Sequence, residues 1–385
     1  MDLFVALGLE ESLANALAKA QIEKPMEIQA EAIPRILKGM SVIGQAPTGT
    51  GKTLAYLLPV LQRVDAALPQ AQAVVLAPTY ELSMQIARTA QQLAEDAGLG
   101  VRVAGLIGGA NIARQMEKLK KKPQLIVGSA GRILELSRKG KLKLGGVRCL
   151  VLDEFDRLLD DQNAGTVAEL VRALPGQNVQ YLMFSATAPK KARERADFLE
   201  HPEFIRVEGV REETGVREDF YVTVPFRDKI EMVRKLSRTL PVRRGLVFIN
   251  RAYDAGRALE KLRYEGIRAE SLLGNADKMA RKKALEDFRK GKVQLLLSTD
   301  LAARGLDIAD VDYVFNLGFP ESAEVYLHRA GRTARAGAKG TVITLADAKE
   351  SAKLALLEQR LGISLKPLKR PGSKRLARKK DKKRP

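Results

Sequence analysis

The sequence predicts an α/β protein of two tandem domains with parallel sheets, followed by a disordered basic C-terminal tail, and three observations carry that expectation. A chain of 385 residues exceeds what one hydrophobic core usually organises, because single cores stop growing at roughly 250–300 residues. Short apolar runs alternate with helix-length segments through most of the chain, as strands buried on both faces between crossover helices do. The alternation lapses between Glu208 and Glu218, a charged, glycine-containing stretch with little apolar periodicity, as a linker would. The expected layout is a first domain over 1–207, a linker over 208–218, a second domain over 219–364 and a tail over 365–385.

Taken in order, the strand candidates of the first domain are Val42-Ile43, Ala73–Leu76, Gln124–Val127, Cys149–Leu152 and Gln180–Phe184. Those of the second are Gly245–Ile249, Val293–Ser298 and Thr341–Leu345, with a helix expected from Tyr253 to Tyr264. No fixed-period repeat is present. Apolar residues make up 45% and charged residues 29%, a globular composition. No stretch approaches the roughly 18 uninterrupted apolar residues of a membrane span. Met1-Asp2-Leu3-Phe4 lacks the basic start and apolar run of a signal peptide, so a cytoplasmic chain is expected. The single cysteine, Cys149, sits inside an apolar run and reads as a core filler. His201 belongs to no motif and reads as a structural or exposed histidine.

The net charge of +20, from 66 Lys and Arg against 46 Asp and Glu, favours a polyanionic partner. From Lys366 to Pro385 there are eleven Lys or Arg and one acid, Asp381, so half of the excess lies in the tail. With Pro367, Pro371, Gly372 and Pro385 and few apolar residues, this segment is expected to lack the burial that would offset its ordering entropy. It reads either as a solubilising tail or as a sequence-independent phosphate contact whose affinity falls steeply with salt; the second is preferred.

The segment Val42-Ile43-Gly44-Gln45-Ala46-Pro47-Thr48-Gly49-Thr50-Gly51-Lys52-Thr53 runs from an apolar strand into a glycine-rich turn and then a helix beginning near Lys52. This is P-loop order. Glycines let the backbone curl so that N–H groups and the helix N-terminus face phosphate, Lys52 reaches the β and γ phosphates, and the Thr53 hydroxyl ligates Mg²⁺. Ala46 stands where the general pattern has its first glycine. About a hundred residues on, the run Cys149–Leu152 ends in Asp153-Glu154-Phe155-Asp156, which puts carboxylates at the C-terminal edge of a strand, where α/β sheets bind ligands. Asp153 suits Mg²⁺, and Glu154 suits orienting or deprotonating the attacking water, since phosphoryl transfer needs positioning and charge neutralisation more than covalent chemistry. Acids at strand ends also serve as helix caps; the P-loop upstream favours the catalytic reading.

At these motifs the chain resembles the DEAD-box RNA helicases of superfamily 2, from Phe4 to about Leu361. The resemblance implies two RecA-like domains, ATP and Mg²⁺, and RNA held by its backbone. Ala46–Thr53 is similar to the family's nucleotide loop, the alanine included, and Asp153–Asp156 takes the place of its name-giving tetrapeptide, with Phe155 for alanine. Ser185-Ala186-Thr187 matches the motif that couples hydrolysis to strand separation. Ser298–Ile308 resembles the motif that faces ATP and RNA together and gives Asp307 the ribose. His328, Arg332 and Arg335 fall at i, i+4 and i+7, hence on one helical face. The resemblance makes His328 a coupling residue and assigns Arg332 and Arg335 to the γ phosphate, where arginine is worth about 10³–10⁵ in rate. It aligns Gln29 with the glutamine that reads adenine and puts Ile22 at the position of an aromatic that stacks on the base. The implied RNA contacts are Pro78, Thr79, Gly108, Gly109, Arg132, Thr299 and Gly305.

Several positions depart from the family pattern. Met26 replaces a threonine and, with Ile22, removes a hydroxyl and a ring from the adenine pocket; Tyr80 replaces an arginine. Ser129-Ala130-Gly131-Arg132 replaces Thr-Pro-Gly-Arg, Leu273-Gly274-Asn275 replaces His-Gly-Asp, and Lys278 replaces a glutamine while Arg281 is kept. The expected activity is an RNA-stimulated ATPase that remodels short duplexes or RNA–protein contacts, as a monomer and with ribosomal particles among its partners. The alternatives are an ATP-gated RNA-binding or assembly factor without turnover, and a DNA helicase of the same superfamily.

Overall fold

The computed structural model describes residues 2–47, 49–108, 112–176, 178–207, 217–273, 278–300, 311–334 and 338–369. The chain divides into two compact units, the main boundary falling between Arg211 and Glu212. The first holds a seven-stranded, wholly parallel sheet of β1 (Val42–Gln45), β2 (Ala73–Leu76), β3 (Val103–Leu106), β4 (Leu125–Gly128), β5 (Cys149–Asp153), β6 (Gln180–Ser185) and β7 (Glu203–Arg206). Its order is β3-β4-β2-β5-β6-β1-β7. The four strands β2, β4, β5 and β6 are buried along their whole length, which is why they read as unbroken apolar runs. Alternate residues serve opposite faces: Val75, Val151 and Leu182 enter one core, and Val74, Leu150 and Met183 the other.

The second unit repeats the plan with β8 (Arg217–Thr223), β9 (Gly245–Phe248), β10 (Ala269–Ser271), β11 (Leu295–Ser298), β12 (Tyr313–Asn316), β13 (Gly340–Ala346) and β14 (Lys366–Pro367). All pairings are parallel and the order is β10-β11-β9-β12-β13-β8-β14. Helices such as Ala252–Tyr264 connect the strands. The expected fold, two parallel α/β units, is what forms.

Two boundaries differ from those expected. Arg217 and Glu218, placed in the linker by their charge, begin β8 and pair in register with Gly340 and Thr341 of β13. Backbone pairing is indifferent to the sign of the side chain at a strand end. The tail begins later than its composition suggested, because Lys366 and Pro367 add to β8 opposite Phe220 and Tyr221, anchored by buried Leu365. Residues 370–385 lie outside the described residues.

Cys149 is buried in β5, and desolvation pushes its thiol up to about 12, so it is an inert filler at neutral pH. His201 is exposed and left-handed at φ 47°. Among the described residues no helix is long and apolar enough to cross a membrane.

Candidate functional site

In the first sheet β6 lies between β5 and β1, so their C-terminal ends bring three of the sequence motifs side by side. β1 runs into the glycine-rich turn, β5 ends at Asp153 and β6 at Ser185, and the Ala46 amide bonds the Ser185 carbonyl at 3.1 Å. Ala46 is fully buried there. The turn needs left-handed backbone at Gly49 (φ 89°) and at Gly51 (φ 80°), the residue that caps the helix Lys52–Arg63. A Cβ at Gly51 would also lie 2.2 Å from Gln29 Nε2. Lys52 Nζ donates to the carbonyls of Ala46 and Pro47, each at 2.6 Å, and Thr50 Oγ1 donates to Pro47 at 2.7 Å. The lysine charge is thus held at the mouth of the loop. Thr48 lies outside the described residues.

Asp153 is 4% exposed. Its Oδ2 accepts from the Tyr56 hydroxyl at 2.9 Å and its Oδ1 from the Glu154 amide at 3.0 Å. Burial pushes this carboxyl above the usual range, opposed by the Tyr56 hydrogen bond and the Lys52 charge. The Tyr56 phenol is itself raised well above its ordinary value, by burial first and the Asp153 charge next, so it remains a donor. Thr53, half-buried, stands one turn before Tyr56 on the same helix. The hydroxyl of Thr53 and the carboxylate of Asp153 are hard oxygen donors beside the lysine charge. A buried carboxylate only partly compensated by its neighbours fits a divalent cation that arrives with phosphate.

Glu154 adopts left-handed backbone at φ 52°, a conformation that costs a non-glycine residue and turns the chain sharply from strand into the helix Phe155–Leu158. Phe155, the departure from the family tetrapeptide, is fully buried in the core on one face of the sheet, so its bulk points away from the chemistry. Thr187 Oγ1 donates to Asp156 Oδ2 at 2.6 Å, tying the end of β6 to the acidic turn after β5; Ser185 is buried and Ala186 half-buried.

Gln29 is buried with both ends of its amide on backbone: Oε1 accepts from the Met26 amide at 2.9 Å and Nε2 donates to the Gly51 carbonyl at 3.1 Å. It therefore couples the helix Glu27–Leu37 to the phosphate loop. Met26 is the N-cap of that helix, so its missing hydroxyl is also a missing cap. Ile22 is partly buried against the first core, and Phe4 is inside it.

The implied RNA contacts are mixed in their exposure. Pro78 is half-buried, and the Thr79 hydroxyl caps the helix Tyr80–Asp96 by accepting from Leu82 at 3.2 Å. Gly108 is exposed. The Arg132 side chain is only 9% exposed and pairs with Glu135 at 2.9 Å. Thr299 is half-exposed at the end of β11, while Gly109, Gly305, Asp307 and Arg335 lie outside the described residues.

The expectation of one helical face for His328, Arg332 and Arg335 is corrected. The helix spans Ala323–Ala330 and ends at Gly331, so His328 is helical and Arg332 lies beyond the cap. Two features stop the helix: glycine is a poor helix residue, and Thr333 forms a β-bridge to Val311 while its hydroxyl bonds the Val311 carbonyl. Arg332 is 7% exposed.

Sequence reasoning missed Tyr56 and Arg329. The signal for Tyr56 was its spacing, one turn beyond Thr53 on the same helix. Arg329 stands inside a recognised motif but had no role there; it is 1% exposed, and every donor of its guanidinium is bonded.

A phosphate cradle after β1, an acid at the end of β5 and a second parallel sheet define a P-loop protein of two RecA-like units. The profile described as "DEAD/DEAH box helicase" matches residues 26–195, and "Helicase conserved C-terminal domain" matches 228–337. The chain is 42% identical to the DEAD-box ATP-dependent RNA helicase CshC of Bacillus cereus, over 92% of this chain and 90% of that one. It is 40% identical to the probable ATP-dependent RNA helicase YfmL of Bacillus subtilis, over 89% and 90%. Among solved structures it is similar to Dbp5 of S. cerevisiae bound to RNA and ADP BeF3, with a TM-score of 0.84, 27% identity and 96% of each chain covered. The chain belongs to the DEAD-box ATP-dependent RNA helicase family.

Proposed function

We propose that this protein is an RNA-stimulated ATPase that locally separates short RNA duplexes or remodels RNA–protein contacts, in ribosome assembly or RNA metabolism. The observation that carries the reading is the convergence at three strand ends of a phosphate loop with its lysine, a buried Asp153 and a Thr187–Asp156 hydrogen bond. In this reading the loop amides and Lys52 hold the phosphates, and Glu154 orients or deprotonates the attacking water. Arg332 and Arg335 stabilise the charge that develops on the γ phosphate. Thr53 and Asp153 would hold Mg²⁺, which neutralises phosphate charge when bound. Asp307 takes the ribose. The Thr187–Asp156 bond passes changes at the acidic turn to the segment after β6. RNA is held by its backbone through Thr79, Gly108, Gly109, Arg132, Thr299 and Gly305, so recognition is by shape and charge rather than by base. ATP and RNA then strengthen each other's binding by the same factor.

ATP hydrolysis measured at low salt is expected to rise severalfold or more with structured RNA and far less with DNA of the same length. No hydrolysis on any RNA would favour the assembly factor without turnover or a missing activator, and equal stimulation by DNA would favour the DNA helicase. Deleting residues 370–385, which carry most of the tail charge, is expected to weaken RNA affinity and flatten its dependence on salt, by about one unit of log–log slope for each phosphate the tail neutralises. An unchanged slope would remove the tail from RNA binding.

A further inference from the structure

Tyr56 lies fully buried one turn beyond Thr53 on the helix that opens at Lys52. Its ring packs against Phe184, with centroids 5.4 Å apart and planes at 47°. Phe184 is the register partner of Asp153 across β5 and β6, so the strand pair that carries the acid also fixes the ring. The hydroxyl donates to Asp153 Oδ2 at 2.9 Å. One phenol oxygen thus joins the helix that follows the phosphate loop to the first acid of the tetrapeptide.

We infer that Tyr56 is a positioning residue whose hydroxyl sets the Asp153 carboxylate in the placement that receives Mg²⁺ with nucleotide. The inference rests on the assignment of Thr53 and Asp153 under Proposed function. Physically it is the arrangement in which a buried donor orients a ligating oxygen, and loss of such a donor commonly costs 10- to 100-fold in metal affinity. Phenylalanine would keep the packing against Phe184 and remove only the oxygen.

The test is binding, not turnover: a fluorescent ADP analogue is titrated onto the full chain at a series of Mg²⁺ concentrations. In the parent protein, Mg²⁺ should tighten binding. In Tyr56→Phe the Mg²⁺ midpoint should move up about tenfold, with affinity in the absence of Mg²⁺ and the thermal midpoint of the free protein little changed. In an Asp153→Asn background, Tyr56→Phe should add no further shift. Coincident midpoints, or a full extra shift in the Asp153→Asn background, would overturn the inference and leave the Mg²⁺ assignment standing. Equal weakening with and without Mg²⁺, together with a lowered thermal midpoint, would make Tyr56 a packing residue and also overturn it. A parent protein indifferent to Mg²⁺ would remove the Thr53 and Asp153 assignment itself, and the inference with it.

Discussion

Glu154→Gln is expected to lower ATP turnover by about 10²–10⁴-fold while leaving nucleotide binding and the thermal midpoint close to those of the parent. The substitution keeps the size of the side chain and the left-handed turn from β5 into the helix Phe155–Leu158, but removes the capacity to accept a proton from water. Lys52→Ala should also abolish turnover, by a different route. It removes the charge that the Ala46 and Pro47 carbonyls hold at the loop, so nucleotide affinity should fall with the rate. Steady-state hydrolysis alongside equilibrium nucleotide binding separates the two. Retained turnover in purified Glu154→Gln would remove the assignment of Glu154 to water, and retained affinity in Lys52→Ala would remove that of Lys52 to phosphate.

In the first sheet the sequence discloses the middle strands and loses the edges, and in the second it also misses β12, the central strand. Strands β2, β4, β5 and β6 are walled in on both faces, so an apolar run is their only stable content, and hydropathy locates each to within a residue or two. Edge strands β3 and β7 are half-exposed, and β7 buries only Ile205 of its four residues, so hydropathy alone does not distinguish it from a loop. Charge hides β8 and proline hides β14, since neither feature reports the backbone pairing that defines them. At the site the same division holds. Lys52, Thr53 and Asp153 are legible because a turn, a helix start and a strand end fix where they stand. The break after Ala330 is not, because it depends on Thr333 bridging Val311, twenty-two positions away in sequence. The double engagement of Gln29 by Met26 and Gly51 is hidden for the same reason: spacing names the residue but not the partner that a folded loop brings to it.

Arg329→Met is expected to destabilise the second unit by about 3–5 kcal/mol, the usual consequence of breaking a buried ion pair by removing one partner. Five hydrogen bonds converge on this guanidinium: Asp300 accepts two, at 2.6 and 2.7 Å, and Gly318, Asn250 and Asn316 accept one each at 2.6, 3.0 and 3.2 Å. The acceptors end or follow β11, β9 and β12, three neighbours in the sheet, so one side chain closes the C-terminal edge that carries the second unit's motifs. The Phe248 ring lies 5.1 Å beneath the charge. Backbone and side chain meet here at close quarters, since a Cβ on Gly318 would fall 2.2 Å from Asn250 Oδ1. The Asp300 side chain is 27% exposed and can recruit water, which places the loss toward the lower end of that range. Lysine should not rescue, because three donors on a flexible stem cannot reproduce five in a planar fork. Calorimetry of the full chain should show the transition of the second unit falling by roughly 6–20 °C. Hydrogen exchange should accelerate in β9, β11 and β12 and not in the first sheet. An unchanged transition with unchanged exchange would mean that the network is dispensable, and the second unit's motifs would then need another source of order.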